Sequence, residues 1–327
     1  MIIFFLLSLF SPTLHKYQIK GQAQGTTYQI TYYAEDSVFT KLQADSIFQS
    51  LDNSLSLYKK ESLINAFNHA KHSMAVDLHL EKVIRKSFRI NKLTNGLFDI
   101  TTKSLSDAWG FGVNQHRDPP SGHTIDSILS CTGIKLLKLK KGRLIKSKPC
   151  VQIDLNGIAQ GYSVDVFADF LQKRSVTSYI IEIGGEIYSS GPKPGGEMMK
   201  VDIEVPSAEP LQPPTYVSIQ LPKGALTTSG SYRKFYINNG KMITHLIQPS
   251  TGQATVGCMI SVVVFAEDAM TADGIDNALM LMSLREGKDF ISKYPKIAAL
   301  FIYQDDDGNV KKFATSNFPM ASTINSL

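Results

Sequence analysis

Residues 151–171 read Val151-Gln152-Ile153-Asp154-Leu155-Asn156-Gly157-Ile158-Ala159-Gln160-Gly161-Tyr162-Ser163-Val164-Asp165-Val166-Phe167-Ala168-Asp169-Phe170-Leu171, and this stretch decides the fold. Its alternating apolar start predicts a short strand, and Gly157 and Gly161 flank a turn. Tyr162, Val166, Phe170 and Leu171 then recur at helical spacing. A second strand, Tyr179-Ile180-Ile181-Glu182-Ile183, stops at Gly184-Gly185. The order is strand, glycine turn, helix, strand, Gly-Gly.

Upstream, Tyr28-Gln29-Ile30-Thr31-Tyr32-Tyr33 follows a Gly25-Thr26-Thr27 turn and predicts a strand. Val38, Leu42, Ile47, Leu51 and Leu55 predict an amphipathic helix over 36–55, and Leu80, Val83, Ile84, Phe88 and Leu93 another over 79–93. Residues 135–148 alternate on both sides of Lys141-Gly142 and predict a hairpin. Its lysines suit either an anionic membrane surface or, in the plainer reading, an edge strand protected against pairing. Downstream, strands are predicted near 200–205, 216–221, 234–237 and 259–265, and a last helix over 269–284. Helices and strands do not alternate regularly, so the class is α+β, one enzyme body without a visible linker.

Of 327 residues, 43% are hydrophobic and 19% charged, which excludes disordered and fibrous chains. The 34 Lys plus Arg against 29 Asp plus Glu leave +5, too mild for a nucleic-acid binder. Cys131, Cys150 and Cys258 are widely spaced and form no C-x-x-C pair, so isolated, buried thiols are expected, with no disulfide framework or zinc site. Residues 1–10, Met1-Ile2-Ile3-Phe4-Phe5-Leu6-Leu7-Ser8-Leu9-Phe10, are too short to cross a bilayer but match the apolar core of a signal peptide. Residues 1–20 are therefore expected to be a signal or anchor segment and 21–327 the enzyme, exported to the periplasmic side of the membrane. A core strand is the alternative for the apolar run.

Four places offer chemistry. The turn from Asp154 through Gly157 to Gly161 brings backbone close to a ligand, and the helix after it offers N–H groups to a phosphate; a plain tight connection is the alternative. Asp273 and Asn277 lie four apart, so two oxygen-bearing side chains share one helix face, as Mg²⁺ requires, or are simply solvated. Thr227-Thr228-Ser229-Gly230-Ser231 supplies hydroxyl donors and His245, before Pro249-Ser250-Thr251-Gly252, a base. Leu97-Phe98-Asp99 leads to Trp109-Gly110-Phe111-Gly112, suited to a flat ring or to a core corner. His69, His72 and His79 suggest a metal cluster only faintly; a solvent-facing loop is the simpler account.

In this order, Gly25-Thr26-Thr27-Tyr28, Leu57-Tyr58-Lys59-Lys60-Glu61-Ser62, Gly96-Leu97-Phe98-Asp99, Trp109 to Gly112, Asp154 to Tyr162, Gly184-Gly185-Glu186, Thr228 to Tyr232, His245 to Gly252 and Ala272-Asp273 resemble the ApbE-type FAD:protein FMN transferase family over residues 21–284. The resemblance implies a tunnelling-fold-like body of antiparallel sheets with flanking helices. It also implies a Mg²⁺-dependent enzyme that takes FAD as substrate, transfers FMN to a Thr or Ser hydroxyl on an acceptor protein, and releases AMP. Acceptors in the family carry a short flavinylation loop and include membrane electron-transfer subunits. By position, the carbonyl of Ala159 and the side chains of Asp273 and Asn277 are implied to hold Mg²⁺. Gln24, Tyr58, Leu97, Phe98, Asp99, Gln160 and Gly185 are implied to contact FAD, alongside Asp154, Gly157 and Ser229 from the turns above. His245 is the implied base and Asp99 the second choice. The family usually has Met, Lys, Asp and Thr where this chain has Gln24, Gln160, Gln248 and Asn277. The alternative functions are an FAD pyrophosphatase, with water in place of the acceptor hydroxyl, and a periplasmic flavin-binding protein without chemistry.

Overall fold

The stretch that opens the sequence reading begins as extended chain without a strand partner, which corrects the strand expected there. Ile153 donates its N–H to Asn68 Oδ1 at 2.8 Å and accepts at its carbonyl from Asn68 Nδ2 at 2.9 Å, while the Asp154 N–H donates to the Ile100 carbonyl at 2.8 Å. A buried asparagine thus supplies what a ladder would have supplied. Val151, Ile153 and Leu155 are buried, so the alternation reported burial correctly and pairing incorrectly.

The computed structural model describes residues 13–206, 214–232, 234–254 and 257–319. The apolar run 1–10 lies outside them. Strands β1 (His15–Ala23) and β2 (Thr26–Ala34) form a hairpin, so the folded body reaches back to His15, ahead of the boundary expected at residue 21. Helices α1 (Lys41–Leu55) and α2 (Leu63–His69), capped by Thr40 and Ser62, lead to β3 (Ser73–Ala75) and α3 (Leu78–Leu93), capped by Asp77. Helices α4 (Lys103–Ala108) and α5 (Gly122–Leu129) precede the hairpin β4 (Leu137–Lys140) and β5 (Arg143–Lys146). Helix α6 (Ala159–Gln172), β6 (Ser178–Ile183) and β7 (Glu186–Ser190) follow, as the glycine signals predict. Then come β8 (Met199–Val205), β9 (Thr215–Leu221), β10 (Gly224–Gly230), β11 (Phe235–Asn238), β12 (Lys241–Thr244) and β13 (Met259–Ala266). Helices α7 (Ala269–Leu279) and α8 (Leu284–Ile291) and strands β14 (Ala298–Gln304) and β15 (Val310–Ala314) end the described chain. The helix expected over 269–284 starts where expected and ends earlier, at Leu279, and a separate helix, α8, begins behind the capping box of Ser283 and Glu286.

One antiparallel sheet organises the molecule, in the order β1-β2-β6-β7-β10-β13-β14-β15. On one face α1, α3, α6 and α7 bury Phe48, Leu51, Ile84, Phe167 and Ile275 against Ile30, Tyr32, Ile181 and Val264. Each such side chain contributes about 1.5–3 kcal/mol of transfer free energy. On the other face the β8–β9 ribbon packs Val201, Ile203, Ile219 and Leu221 against Leu226, Val263, Leu300 and Ile302. This three-layer arrangement is the α+β class expected.

Three local expectations change. Leu42, placed on the apolar face of α1, is 79% exposed, because it lies about two and a half turns before the buried Leu51 and so on the opposite side of the helix. Lys138 and Lys140 are exposed on edge strand β4, as edge protection requires, but Lys146 on central β5 is buried. Its ammonium donates to the carbonyls of Asn68 and Val151 at 3.1 and 2.9 Å, and burial lowers its pKa. Cys131 and Cys150 form a disulfide with 5.7 Å between Cα atoms, and Cys258 is exposed, where isolated buried thiols were expected. Their separation of 19 residues carries no signal by itself; the β4–β5 hairpin folds the chain back and brings them together.

Candidate active site

The site grows from the contact between α6 and α7. A Cβ at Gly161 would lie 2.5 Å from the Ala269 carbonyl oxygen and 2.9 Å from the Asp273 Cβ, so only glycine admits this approach. The Gly161 N–H donates to Asp273 Oδ2 at 2.9 Å. Gly157 is close to Asn277, with 3.3 Å from an ideal Cβ to the amide carbon. These glycines therefore bring helix to helix, a use the ligand-based reading of the turn did not anticipate. At the outer end of the contact, Asp165 Oδ1 and Oδ2 accept the N–H groups of Ala269 and Met270 at 2.8 and 3.0 Å, tying α6 to the start of α7.

Behind Gly161 lies a cluster of buried carboxyl groups. Asp273 and Asp276 are 4% and 1% exposed, and no cationic side chain among the described residues forms an ion pair with either. Burial pushes the Asp273 carboxyl up to about 7. Burial, then the neighbouring Asp273, raises Asp276 well above the carboxylate range, and burial with both aspartates does the same for Glu186. Thr227 Oγ1 and Ser229 Oγ donate to Asp276 at 2.6 and 3.0 Å, so Ser229 faces this carboxylate. Asn277 Nδ2 donates to the Asp273 carbonyl at 2.9 Å and to Asp276 Oδ1 at 3.1 Å. Glu186 Oε2 is buried without a partner.

Two cavities open in front of this group. The larger, about 1130 Å³, is lined by Gln24, Tyr58, Ala159 and Gln160, with Leu42, Asp45, Asp52 and Lys59 around them. That volume lies at the upper end of ligand pockets. The smaller, about 150 Å³, is lined by Leu97, Phe98, Asp99, Asp154, Gly157, His245 and Asn277. Asn156 and Lys234 line both and mark where they meet.

Gln24 has a left-handed backbone, φ 53°, with Gly25 at 76°, the two-residue turn that a β hairpin favours. Its Nε2 donates to Ser163 Oγ at 3.0 Å, and its Oε1 is buried without a partner. Tyr58 is 69% exposed at the cavity wall. Gln160 donates Nε2 to the Ile183 carbonyl at 3.0 Å, directing its side chain to the Gly184–185 turn. There the Gly185 N–H donates to Glu182 Oε1 at 2.9 Å.

His245 carries the protonatable nitrogen best placed for chemistry. Its Nδ1 lies 3.1 Å from the Lys234 carbonyl, which can only accept, so Nδ1 holds the proton and Nε2 keeps a lone pair. Burial lowers its pKa, which keeps the ring neutral. Asp99, the second candidate base, is occupied: Oδ1 accepts from the Thr101 N–H and Oγ1 at 2.8 and 2.6 Å, and Oδ2 from the Ile134 N–H at 2.9 Å. It caps a turn at the cavity edge. Asp154 is raised mainly by burial and accepts the Asn156 N–H at 2.7 Å.

The smaller cavity thus gathers Leu97, Phe98, Asp99, Asp154, Gly157, His245 and Asn277, and the larger one Gln24, Tyr58, Ala159 and Gln160. Asp273, Ser229 and Gly185 lie behind these walls. Trp109 is a core corner: buried with Leu105, Ile125 and Ile247, it donates Nε1 to the Gly252 carbonyl at 2.8 Å. His79 pairs with the Tyr162 hydroxyl and His69 with the Asn65 carbonyl, and the described residues contain no group of three metal-binding side chains. Sequence reasoning missed Asp276, Glu186, Asn156 and Lys234. Asp276 was within reach, being beside Asn277; Lys234 sits among ordinary strand residues and carried no signal.

The model of the ApbE family matches residues 24–301. The FAD:protein FMN transferase of Vibrio cholerae is 33% identical over 307 residues, covering 92% of this chain and 91% of that protein. The FAD:protein FMN transferase of Haemophilus influenzae is 29% identical over 311 residues, covering 91% and 89%. Among solved structures, the flavin transferase ApbE from Vibrio cholerae superposes with a TM-score of 0.84 at 31% identity, covering 94% of this chain and 99% of that one. The apo flavinyl transferase ApbE of Pseudomonas stutzeri does so with a TM-score of 0.84 at 27% identity, covering 93% and 95%.

Proposed function

The chain belongs to the ApbE family, and from that premise we propose that it transfers FMN from FAD to a Thr or Ser hydroxyl of an acceptor protein and releases AMP. One observation carries the reading. A dinucleotide-sized cavity opens at Asn156 and Lys234 into a small one that holds a neutral, half-buried histidine.

The donor set behind the cavities suits a hard cation: buried carboxylates without a basic partner, one of them with an orphaned oxygen. Asp273, the Ala159 carbonyl and Asn277, after a half-turn of its amide, would hold Mg²⁺, whose charge would offset that of the FAD diphosphate. The chain's own residues do the rest. Gln24 and Tyr58 line the wall against which one half of FAD rests, and Phe98 with Leu97 supplies apolar surface beside the reacting phosphate. His245 Nε2 accepts the proton of the acceptor hydroxyl as its oxygen bonds to the FMN phosphorus and the bond to AMP breaks. The Lys234 carbonyl holds the imidazole in the required tautomer.

The Cys131–Cys150 disulfide supports export to an oxidising compartment such as the periplasm. The acceptor there is a protein with a short Thr- or Ser-bearing loop, of the kind found on membrane electron-transfer subunits. Mass spectrometry of a purified acceptor domain, incubated with this protein, FAD and Mg²⁺ while AMP is followed, tests the reading. One FMN gained per acceptor with AMP in step supports it. AMP release with an unmodified acceptor makes the protein a hydrolase.

A further inference from the structure

The larger cavity has room for the dinucleotide and the smaller one holds the base, so the diphosphate that is cut must lie where the two cavities meet. Among the described residues, Asn156 and Lys234 line both cavities, and Lys234 is the one lysine or arginine lining the smaller. Among the described residues it forms no ion pair, and it is exposed to the cavity space. Its charge reaches groups on both sides of the junction: it works against the rise that burial gives the Asp154 carboxyl and adds slightly to the fall that burial gives the His245 imidazole. Its own carbonyl accepts from the His245 N–H at 3.3 Å and faces Nδ1 at 3.1 Å, so ammonium and base are fixed by one residue.

Resting on the transferase reading above, we infer that Lys234 is the diphosphate-binding cation of this enzyme. The ammonium holds the phosphate nearer the reacting centre and offsets the negative charge that gathers on the AMP side as the bond breaks. The acceptor oxygen bonds to the FMN phosphorus, the electron pair of the broken P–O bond leaves with AMP, and the proton goes to His245. Lys234 keeps its own proton throughout. Among the described residues no other lysine or arginine lines the smaller cavity, whose remaining walls are apolar, carboxylate, hydroxyl, amide and the neutral imidazole.

The test is equilibrium binding of FAD to the full chain, followed by flavin fluorescence, for wild type, Lys234→Met and Lys234→Arg at low and high salt. Lys234→Met is expected to raise Kd about 10- to 100-fold and to flatten its salt dependence, while Lys234→Arg keeps both close to wild type. Wild-type affinity in Lys234→Met, or equal impairment in Lys234→Arg, overturns the assignment. The readout needs no turnover. A wild type that binds FAD and transfers nothing sinks the transferase reading alone, and one that binds no FAD sinks both.

Discussion

The Gly161 N–H and the Asp273 carboxylate share a hydrogen bond of 2.9 Å, which joins the first turn of α6 to the middle of α7. The two halves of the candidate metal site therefore cannot move independently. Gly161→Ala would gain up to about 1 kcal/mol of helix propensity. It would also push a Cβ to 2.5 Å from the Ala269 carbonyl oxygen, so the net expectation is a loss of about 1–3 kcal/mol. Denaturant unfolding measures it, and unchanged stability would place the helices further apart.

His245→Ala is expected to leave FAD binding nearly intact and to cut turnover by about 10²–10⁴. Because burial lowers the His245 pKa, the neutral base is fully present at neutral pH. The acid limb of kcat/KM should therefore fall below the ordinary histidine range, around pH 6.5. An acid limb at or above that value would assign the proton to another group.

Asp165 gives a pH signature in stability. Its carboxyl is raised to about 7 in the fold, chiefly by burial and then by Asp268, from 3.8 in the open chain. The folded state thus keeps a proton that the unfolded state releases, and stability declines as pH rises from about 4 to about 7. In Asp165→Asn, melting temperatures taken across that window should fall less steeply, the slope that remains coming from groups such as Asp273 that burial also raises to about 7. A slope identical to wild type would remove Asp165 as its source.

Cys150→Ser opens the loop that the disulfide closes over 19 residues, at an expected loss of about 3 kcal/mol. Residues 133 and 134, just beyond Cys131, donate to Thr101 Oγ1 at 2.6 Å and to Asp99 Oδ2 at 2.9 Å. The same variant should therefore loosen the wall of the smaller cavity and raise the hydrogen-exchange rates of these two amides. Unchanged exchange would confine the disulfide's effect to global stability.

Much of this was legible in the order of residues. The helices around Leu51 and Ile84 follow from apolar spacing, and the β6–β7 turn follows from Gly184-Gly185, which both take positive φ. What escaped was held by single buried polar groups. Asn68 and Lys146 bind the backbone at Ile153 and Val151, and no periodicity announces a side chain that stands in for a strand. Strand β14, buried from Ala298 to Phe301, went unseen because a short continuous apolar run lacks a period. At the site, spacing put Asp273 and Asn277 on one face, whereas Glu186 on β7 and Lys234 just before β11 are distant in sequence, and only the folded chain brings them to the site.

The hairpin that carries Gln24 has a directional consequence. In β1 the residues beside the larger cavity are Gln22 and Ala23, and His15, paired with Ala34, is at the opposite end of the same strand. Eight steps of extended chain separate His15 from Ala23, about 27 Å. The first residue of β1 is thus separated from the cavity wall by the length of the strand, so a change at His15 would reach the site only through the whole β1–β2 ladder.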